Sequence, residues 1–321
     1  MSAIVTVDVA GGAMGGAARF RVEFYNYLTH TGRQDVQVIG DRKRVTPSWL
    51  VLREIKGSAR AKRVALNNVG FFAPGGERYT LLRNALHFLT EDEASYLEPS
   101  LNKAVGMQTA VVRIAARRSD VLVVPCSSMA ERVARIIPSS RDRIVVRPHP
   151  VSADSTPILP RDRAILCPVV PRPYKQMSER LTDLLAAIDR YSDTSLRLRL
   201  TADKSELPAS VATHPSVDFL GRLNYQDLRD IWGRSSAIFF PTSVESFGYP
   251  LAEARVSGHP VIALDTAQNR EIGGAALCGF TSGKVESLLH AIDLALAMNV
   301  APDPEPFAPH SYFNWLLGPQ R

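Results

Sequence analysis

Apolar and polar positions along the chain repeat one pattern, a short apolar strand followed by an amphipathic helix. Near the start, Ala3–Val9 is apolar and β-branched, and Val36–Ile39 is a second such run. Between them a glycine-rich segment precedes Ala17–Leu28, where large apolar residues recur at helical spacing. Strand, glycine loop, helix and strand form a βαβ unit, which predicts a parallel sheet.

The same alternation continues along the rest of the chain. It predicts further strands at Tyr79–Leu82, Val121–Val124, Ile144–Val146, Ala164–Val170, Leu196–Leu200, Val217–Leu220, Ala237–Phe240 and Val261–Leu264. It predicts helices at Leu101–Arg117, Ser128–Ile136, Ser178–Ile188, Tyr225–Arg234, Leu251–Val256 and Lys284–Met298.

The Ser- and Pro-rich segment 151–160 interrupts this alternation and reads as a linker. We therefore expect an α/β protein with two Rossmann-like, doubly wound domains, at 1–152 and 153–306, and an aromatic tail at 307–321. Ligands of such sheets bind at the carboxyl ends of the strands, so two facing domains would enclose a central cleft.

Composition narrows the class and the compartment. A chain of 321 residues fits two domains. Three cysteines, at positions 126, 167 and 278, argue against a disulfide scaffold and for a reducing compartment. No apolar run reaches the ~18 residues of a membrane span, and the N-terminus lacks the basic region of a secretory signal. We expect a cytoplasmic protein.

Charge is unevenly distributed between the two halves. Residues 1–150 hold 22 Lys and Arg against 13 Asp and Glu, whereas residues 151–321 hold 16 against 19. The densest basic stretch, 42–63, encloses the apolar run Trp49–Leu52. This pattern predicts either peripheral contact with an anionic membrane surface or a buried strand beside a solvated basic helix. Nucleic acid is not expected, because no zinc-finger spacing or RNA-recognition motif occurs.

The segment from Pro241 to Ala254, PTSVESFGYPLAEA, carries the clearest chemistry. A buried strand ends before it, and Gly248 allows the backbone to approach a ligand closely. Pro250 suits the first turn of a helix, whose N-terminus favours a phosphate. Glu245 and Glu253 bracket this loop, and their carboxylates can accept hydrogen bonds from the hydroxyls of a sugar or ribose.

These residues resemble the donor-binding motif of retaining GT-B glycosyltransferases, especially family 4, the group 1 glycosyltransferases. The resemblance covers residues 217–277 and includes ESFGYPLAEA, GHPVIA and the later Gly274-Ala275-Ala276. It implies a GT-B fold and a nucleotide-diphosphate sugar as donor. It also implies that Glu253 binds the donor ribose, that Glu245 contacts the transferred sugar, and that the backbone of Ser246, Phe247, Gly248, Tyr249 and Leu251 holds sugar hydroxyls and the diphosphate.

The resemblance also implies a pair of cations, an Arg and a Lys five positions apart, that neutralise the leaving diphosphate. Lys175 matches the second position, but the first is Val170. Arg172 is the nearest guanidinium and is the candidate replacement. Loss of one such contact would weaken stabilisation of the charge that develops on the diphosphate.

The glycine loop of the first domain, with Gly15 and Gly16, resembles the family loop that approaches the donor phosphate. His87 is the candidate for contact with the transferred sugar or the acceptor. The loop narrowly fails the dinucleotide fingerprint. Asp41, however, follows the second strand where an NAD-binding acid would lie, so a dehydrogenase remains an alternative.

The resulting prediction is a retaining hexosyltransferase of polysaccharide biosynthesis, with a glycan, lipid-linked or other anionic hydroxyl acceptor. No Asp-x-Asp motif and no His/Cys cluster with ligand spacing occurs, so neither a metal nor a cofactor is expected. The resemblance implies that the tail 307–321 returns to the first domain. Two alternatives remain: a GT-B-like protein that binds a nucleotide or glycan without turnover, and an epimerase or phosphorylase on the same fold.

Overall fold

The computed structural model describes residues 5–12, 15–56, 61–97, 103–153, 161–169, 171, 175 and 177–320. The chain divides into two compact units. Unit 1 comprises Met1–Ser152, Glu245–Phe247 and Pro306–Arg321, and unit 2 comprises Ala153–Val244 and Gly248–Glu305. Each unit is built around one parallel sheet of six strands.

The sheet of unit 1 has the strand order β2-β1-β3-β4-β5-β6, so the order reverses between β1 and β3. All of its strand pairs are parallel. The strands are β1 (Val5–Asp8), β2 (Val36–Ile39), β3 (Lys62–Ala65), β4 (Arg78–Leu81), β5 (Val121–Val124) and β6 (Ile144–Val146). The central strand β1 is buried along its whole length, as expected for a strand covered on both faces.

The helices of unit 1 are α1 (Gly15–Thr31), α2 (Pro47–Lys56), α3 (Glu91–Leu97), α4 (Lys103–Arg118), α5 (Ser127–Ile136) and the C-terminal α12 (Pro309–Leu317). α12 packs against α1 through an aromatic cluster. The ring of Phe313 lies 5.6 Å from that of Phe20, 5.5 Å from that of Phe24 and 5.2 Å from that of Tyr27. The last helix of the chain therefore completes the core of the first unit.

The sheet of unit 2 has the order β12-β11-β10-β7-β8-β9, again entirely parallel. Its strands are β7 (Asp162–Cys167), β8 (Arg197–Leu200), β9 (Val217–Phe219), β10 (Ser235–Phe240), β11 (Val261–Leu264) and β12 (Leu277–Phe280). Counted within the unit, this is the order of the dinucleotide-binding fold, with its switch point between β7 and β10. Ligands of that fold bind outside the carboxyl ends of the two strands at the switch point.

The helices of unit 2 are α6 (Met177–Arg190), α7 (Ala209–Ala212), α8 (Tyr225–Arg234), α9 (Tyr249–Ser257), α10 (Ala267–Gly273) and α11 (Val285–Ala297). α6 and α11 supply much of the core, since Leu181, Leu184, Leu288 and Ile292 are fully buried against the sheet. The apolar residues of both helices recur every three or four positions, which places them on one face.

The predicted α/β class is confirmed, and most strands agree with the predicted bounds to within two residues. The expectation of a strand at Trp49–Leu52 is wrong, because this run lies in helix α2. β3 was not predicted, since its first two residues, Lys62 and Arg63, are basic. Among the described residues, no helix is both long and apolar enough to cross a membrane.

Candidate functional site

The loop that follows β10 lies at the switch point of the unit 2 sheet, and its conformation depends on Gly248. All six residues of β10 are buried, and the strand ends at Phe240. Gly248 has a φ of 85°, in the left-handed region, and it caps the N-terminus of α9. A Cβ at this position would lie 2.9 Å from Leu251 Cδ1 and 3.3 Å from the Phe240 ring. Only glycine fits this turn without strain.

Helix α9 carries the second half of the donor-binding motif. Pro250 lies in its first turn, and the N–H of Leu251 donates to the carbonyl of Gly248 at 3.0 Å. Leu251 is buried, whereas Tyr249 and Glu253 are half-buried. The helix therefore holds a carboxylate one turn from its N-terminus, where the helix dipole favours an anionic ligand.

The first half of the motif, Glu245–Phe247, groups with unit 1 rather than with unit 2. The Ser246 hydroxyl donates to the carbonyl of Arg83 at 2.7 Å, and the Cys126 thiol donates to the carbonyl of Ser246 at 3.3 Å. The Phe247 ring lies 4.9 Å from the ring of the buried His149. Glu245 is half-buried beside these anchored residues. The motif is thus divided between the two units after residue 247.

Lys175, the candidate diphosphate cation, follows β7 in unit 2 and is half-buried. Its charge lowers the pKa of the Cys167 thiol, although burial has the larger effect and raises that pKa. Because Cys167 is the last residue of β7, this interaction places the Lys175 ammonium near the carboxyl end of the strand. Arg172 lies outside the described residues.

Sequence reasoning missed a second guanidinium in this region, that of Arg180. It lies in the first turn of α6 and is only 6% exposed. It donates to the Ser243 hydroxyl at 3.1 Å and to the Ser282 hydroxyl at 2.5 Å. Ser243 follows β10 and Ser282 follows β12, so Arg180 reaches the carboxyl edge of the sheet. A single arginine in a helical segment gives no distinguishing pattern in a sequence.

The glycine loop of unit 1 follows β1. Gly11 has a φ of 77°, and its N–H donates to the carbonyl of Lys43 at 2.8 Å. Gly15 and Gly16 are the first two residues of α1 and are exposed. An ideal Cβ on Gly15 would meet no atom within 4 Å, so the start of this helix faces open space.

Asp41, the candidate NAD-binding acid, is hydrogen-bonded to residues that hold this glycine loop. Its carboxylate accepts hydrogen bonds from Arg21 at 2.9 Å and from the Tyr25 hydroxyl at 3.1 Å. Arg21 also donates to the carbonyl of Gly11 at 3.0 Å. The three side chains therefore tie the loop to α1 and to the end of β2.

A buried ion pair lies at the reversal of strand order in unit 1. The Asp8 carboxylate, at the end of β1, accepts from Arg53 at 2.8 Å, from Asn67 at 2.9 Å and from the Trp49 indole at 3.2 Å. Asp8 and Arg53 are fully buried. Arg53 and Trp49 belong to the basic stretch 42–63, and this part of the stretch faces the interior of the unit.

His87 lies in a short 3-10 helix, Ala85–Phe88, and is 4% exposed. The Thr109 hydroxyl donates to a backbone carbonyl of α4, so it must accept from Nδ1–H of His87, at 2.9 Å. Nε2 then accepts from the Asn84 amide at 3.3 Å. Burial, with a smaller contribution from Arg113, lowers the pKa of His87 to about 4. In this conformation the ring is a neutral hydrogen-bonding group of the interior.

The described residues include no group of three or more His, Cys, Asp or Glu side chains that could hold a metal ion.

Comparisons with known proteins give one family match, in the second half of the chain. Residues 170–298 match the family model described as glycosyl transferases group 1, which confirms the resemblance. Three solved structures share the fold, namely the glycosyltransferase WaaG, involved in lipopolysaccharide biosynthesis, the Anabaena protein HepE in complex with UDP and glucose, and the lipopolysaccharide outer core galactosyltransferase WaaB. No curated protein sequence matches the chain.

The structural similarity extends over nearly the whole chain. WaaG has a TM-score of 0.64 at 13% identity and covers 98% of this chain and 95% of its own. HepE has a TM-score of 0.63 at 11% identity, with 97% and 94% covered. WaaB has a TM-score of 0.56 at 12% identity, also with 97% and 94% covered. At such identities the similarity establishes the fold, and the predicted GT-B architecture is confirmed.

Proposed function

We propose, from the membership of residues 170–298 in the group 1 glycosyltransferases, that this protein moves a hexose from a nucleotide-diphosphate sugar to an acceptor hydroxyl with retention. The observation that carries the proposal is the left-handed Gly248 at the start of α9, with Glu253 one turn further on. Both lie in the matched segment, next to the strand pair where such sheets bind ligands.

The proposed transfer depends on stabilising the negative charge that develops on the leaving diphosphate. As the bond from the anomeric carbon to the diphosphate breaks, negative charge grows on the leaving oxygen, and a fixed positive charge lowers the barrier. Lys175 and the N-terminus of α9 supply such charge. The acceptor oxygen bonds to the anomeric carbon on the same face from which the diphosphate departs, and the leaving phosphate oxygen takes the proton of the acceptor hydroxyl. The configuration at the anomeric carbon is therefore retained. The proposed reaction uses neither a protein nucleophile nor a metal ion.

A glycan or lipid-linked acceptor fits the proposal. Unit 1 carries the excess of basic residues, and WaaG is described as acting in lipopolysaccharide biosynthesis. A cleft of about 350 Å³ in this unit is lined in part by Lys43, Lys56 and Asp41. Two ammonium groups against one carboxylate, itself paired with Arg21, favour an anionic group in this cleft.

Peripheral contact with an anionic membrane is part of the same proposal. α2 turns Trp49 and Arg53 inward, whereas Val51, Leu52 and Ile55 are 67%, 44% and 79% exposed. Exposed basic residues flank this apolar face on both sides: Arg42, Lys43, Arg44 and Lys56. An exposed apolar face with a basic border is the pattern of helices that lie in a lipid interface.

The test is binding of UDP, GDP, dTDP and ADP to the full chain in the presence of EDTA. One of these nucleotides should raise the unfolding temperature of the protein. When the sugar donor that contains this nucleotide is incubated with the protein and lipid or glycan acceptors, the free nucleotide should be released. Glu253→Gln should weaken binding of that nucleotide about 10–100-fold, because a hydrogen bond to a charged group is lost. Glu286→Gln, which removes an exposed carboxylate paired with Arg190, is the control and should bind normally.

Three results would contradict the proposal: no stabilisation by any of the four nucleotides, stabilisation by NAD alone, or binding that requires a divalent cation. Nucleotide binding without release of the sugar from any matching donor would favour the binding protein, since Val170 replaces one of the two expected cations. NMR of the product would show whether the anomeric configuration is retained.

A further inference from the structure

Arg180 is the only buried arginine among the described residues that lacks a carboxylate partner. The other three buried arginines each have a carboxylate oxygen within 4.0 Å: Arg33 pairs with Asp35, Arg53 with Asp8 and Arg63 with Glu54. For Arg180 the only hydrogen-bond acceptors in the described part of the chain are the two serine hydroxyls. Its Nε is buried and has no hydrogen-bond acceptor there.

This arrangement costs stability in the unliganded protein. Burying a guanidinium removes its hydration, and neutral hydroxyls compensate for that loss less well than a carboxylate does. The position adds a second penalty, because the first turn of a helix is the positive end of the helix dipole. Glu179, the acidic residue of that turn, is exposed and forms no ion pair with Arg180. A residue that destabilises its own unit in this way is better explained by a ligand than by packing.

The location of Arg180 indicates which ligand that is. α6 follows β7, and Ser243 follows β10, so the guanidinium lies beside the two strands at the switch point of the unit 2 sheet. Next to Ser243, the Thr242 hydroxyl is 2% exposed and has no hydrogen-bond partner among the described residues. An unmatched positive charge and an unused hydroxyl therefore lie on the two segments that follow the switch-point strands, where phosphates bind in such folds.

We propose that Arg180 is a positioning residue of the donor diphosphate site, and that its buried charge compensates for the cation absent at Val170. It acts through Ser243, whose hydroxyl it orients, and through the field of its charge, which is stronger in a buried environment than in water. This inference rests on the proposed function. The negative charge of the diphosphate increases as the sugar leaves, so Arg180 should stabilise the transition state more than the bound donor.

The experiment compares Arg180→Met with a matched variant of the full chain, Arg199→Met, which removes an arginine of the same unit paired with Asp162 at 2.8 Å. For each variant, the unfolding temperature without ligand is measured first. The dissociation constants for UDP and UMP, GDP and GMP, dTDP and dTMP, and ADP and AMP follow. Wild-type protein should prefer one diphosphate over its monophosphate.

Arg180→Met should weaken binding of that diphosphate about 10–100-fold and binding of the monophosphate much less, because the second phosphate supplies the matching charge. Its unfolding temperature without ligand should equal or exceed that of the wild type. Arg180→Lys, which keeps the charge, should recover most of the diphosphate preference. Arg199→Met should unfold at a lower temperature and keep the preference. With the sugar donor, kcat of Arg180→Met should fall more than KM rises.

The inference is overturned if Arg180→Met unfolds at a lower temperature and keeps the diphosphate preference, since the arginine would then only join two loops. If Arg180→Met does not fold, the same binding measurements on Ser243→Ala test the inference. It removes the hydroxyl through which Arg180 acts and keeps the charge, so the inference expects a diphosphate preference smaller than that of the wild type. An unchanged diphosphate preference in Ser243→Ala contradicts it. Failure of the wild type to bind any of the four diphosphates would reject the proposed function itself, which is a different result from unchanged binding in Arg180→Met.

Discussion

At the scale of single residues, burial decides which charged groups hold the structure together. Asp8 carries its negative charge inside unit 1 because Arg53, Asn67 and Trp49 all donate to it. Arg53 in turn donates to two backbone carbonyls, those of Val69 and Gly70. These hydrogen bonds compensate for the burial of the pair, although Arg53 Nε has no hydrogen-bond acceptor among the described residues. The pair fixes the end of β1, from which the glycine loop begins.

His87 is the candidate site residue whose surroundings differ most from those of a group in contact with substrate. Both ring nitrogens are hydrogen-bonded within unit 1, and the pKa is lowered to about 4, mainly by burial. At neutral pH the ring is uncharged and serves to join the Ala85–Phe88 turn to α4. A role toward the acceptor therefore remains a prediction, and it would require a conformation in which the ring is exposed.

This burial predicts an acid-dependent loss of stability. An unfolded histidine has a pKa near 6.5, so between pH 6.5 and 4 the unfolded chain binds a proton that folded His87 does not bind. The free energy of unfolding should fall by about 3 kcal/mol over that interval on account of this residue. Urea denaturation at pH 7.0 and pH 4.5 measures the difference.

The variant His87→Gln should be less stable than the wild type at pH 7.0 but should lose less stability on acidification. His290→Gln removes an exposed histidine of α11 and serves as the control, with the pH dependence of the wild type. Equal pH dependence in His87→Gln and the wild type would show that the ring is not held in its neutral form.

At the scale of elements, the start of α9 shows how a loop conformation positions a candidate site. Gly248 takes a left-handed conformation that turns the chain from the end of β10 into the helix. This position requires glycine for two reasons: its φ is positive, and a Cβ would lie too close to Leu251 and Phe240. The direction of the α9 N-terminus therefore depends on this one residue.

We expect Gly248→Ala to destabilise the protein by about 2–4 kcal/mol, from the left-handed conformation and the steric overlap together. Gly283→Ala is the matched control, because Gly283 has a φ of 70° but a Cβ there would meet no atom within 4 Å. It should cost about 1–2 kcal/mol, the conformational part alone. Urea denaturation gives both values.

Binding of the nucleoside diphosphate should be lost in Gly248→Ala and kept in Gly283→Ala, as isothermal calorimetry would show. If the two variants lose equal stability and both bind the nucleotide, the turn at Gly248 does not shape the site.

The sequence pattern of α2 favours a strand, although the segment is helical. Trp49 and Arg53 lie four positions apart and face inward, while Val51 and Ile55 lie four positions apart and face solvent. Both faces carry large apolar side chains, so the run looked like a fully buried strand. Only the position of Asp8, which recruits the Trp49 indole and the Arg53 guanidinium, determines which face is turned inward.

For the molecule as a whole, the excess of basic residues in unit 1 predicts that an anionic membrane surface binds to this unit. Wild-type protein should sediment with vesicles that contain phosphatidylglycerol, should not sediment with phosphatidylcholine alone, and should be released by salt because the contact is electrostatic. Val51→Ser combined with Ile55→Ser should weaken this binding about 10-fold or more, since two apolar side chains no longer enter the lipid.

Met107→Ser, at an exposed residue of α4 in the same unit, is the control and should bind like the wild type. Vesicle binding that is insensitive to the α2 variant would exclude this helix as the contact, and an absence of binding to either vesicle would reject the membrane proposal as a whole.

The amino-acid pattern is sufficient to predict the α/β class, the position of most strands and the resemblance of residues 170–298 to the group 1 glycosyltransferases. Two physical regularities make this possible. Most buried parallel strands are nearly continuous runs of apolar residues, and a turn such as that at Gly248 admits only glycine. These requirements act on neighbouring residues and are therefore visible in a linear pattern.

Tertiary structure alone decided which charges are buried and which chain segments complete each unit. The pairing of Asp8 with Arg53, the burial of Arg180 against Ser243 and Ser282, and the grouping of residues 245–247 and 306–321 with unit 1 all join distant parts of the chain. Such contacts depend on the arrangement of strands in the sheet. The sequence does not distinguish a basic residue that becomes buried from one that stays in solvent, because the residue type is the same in both cases.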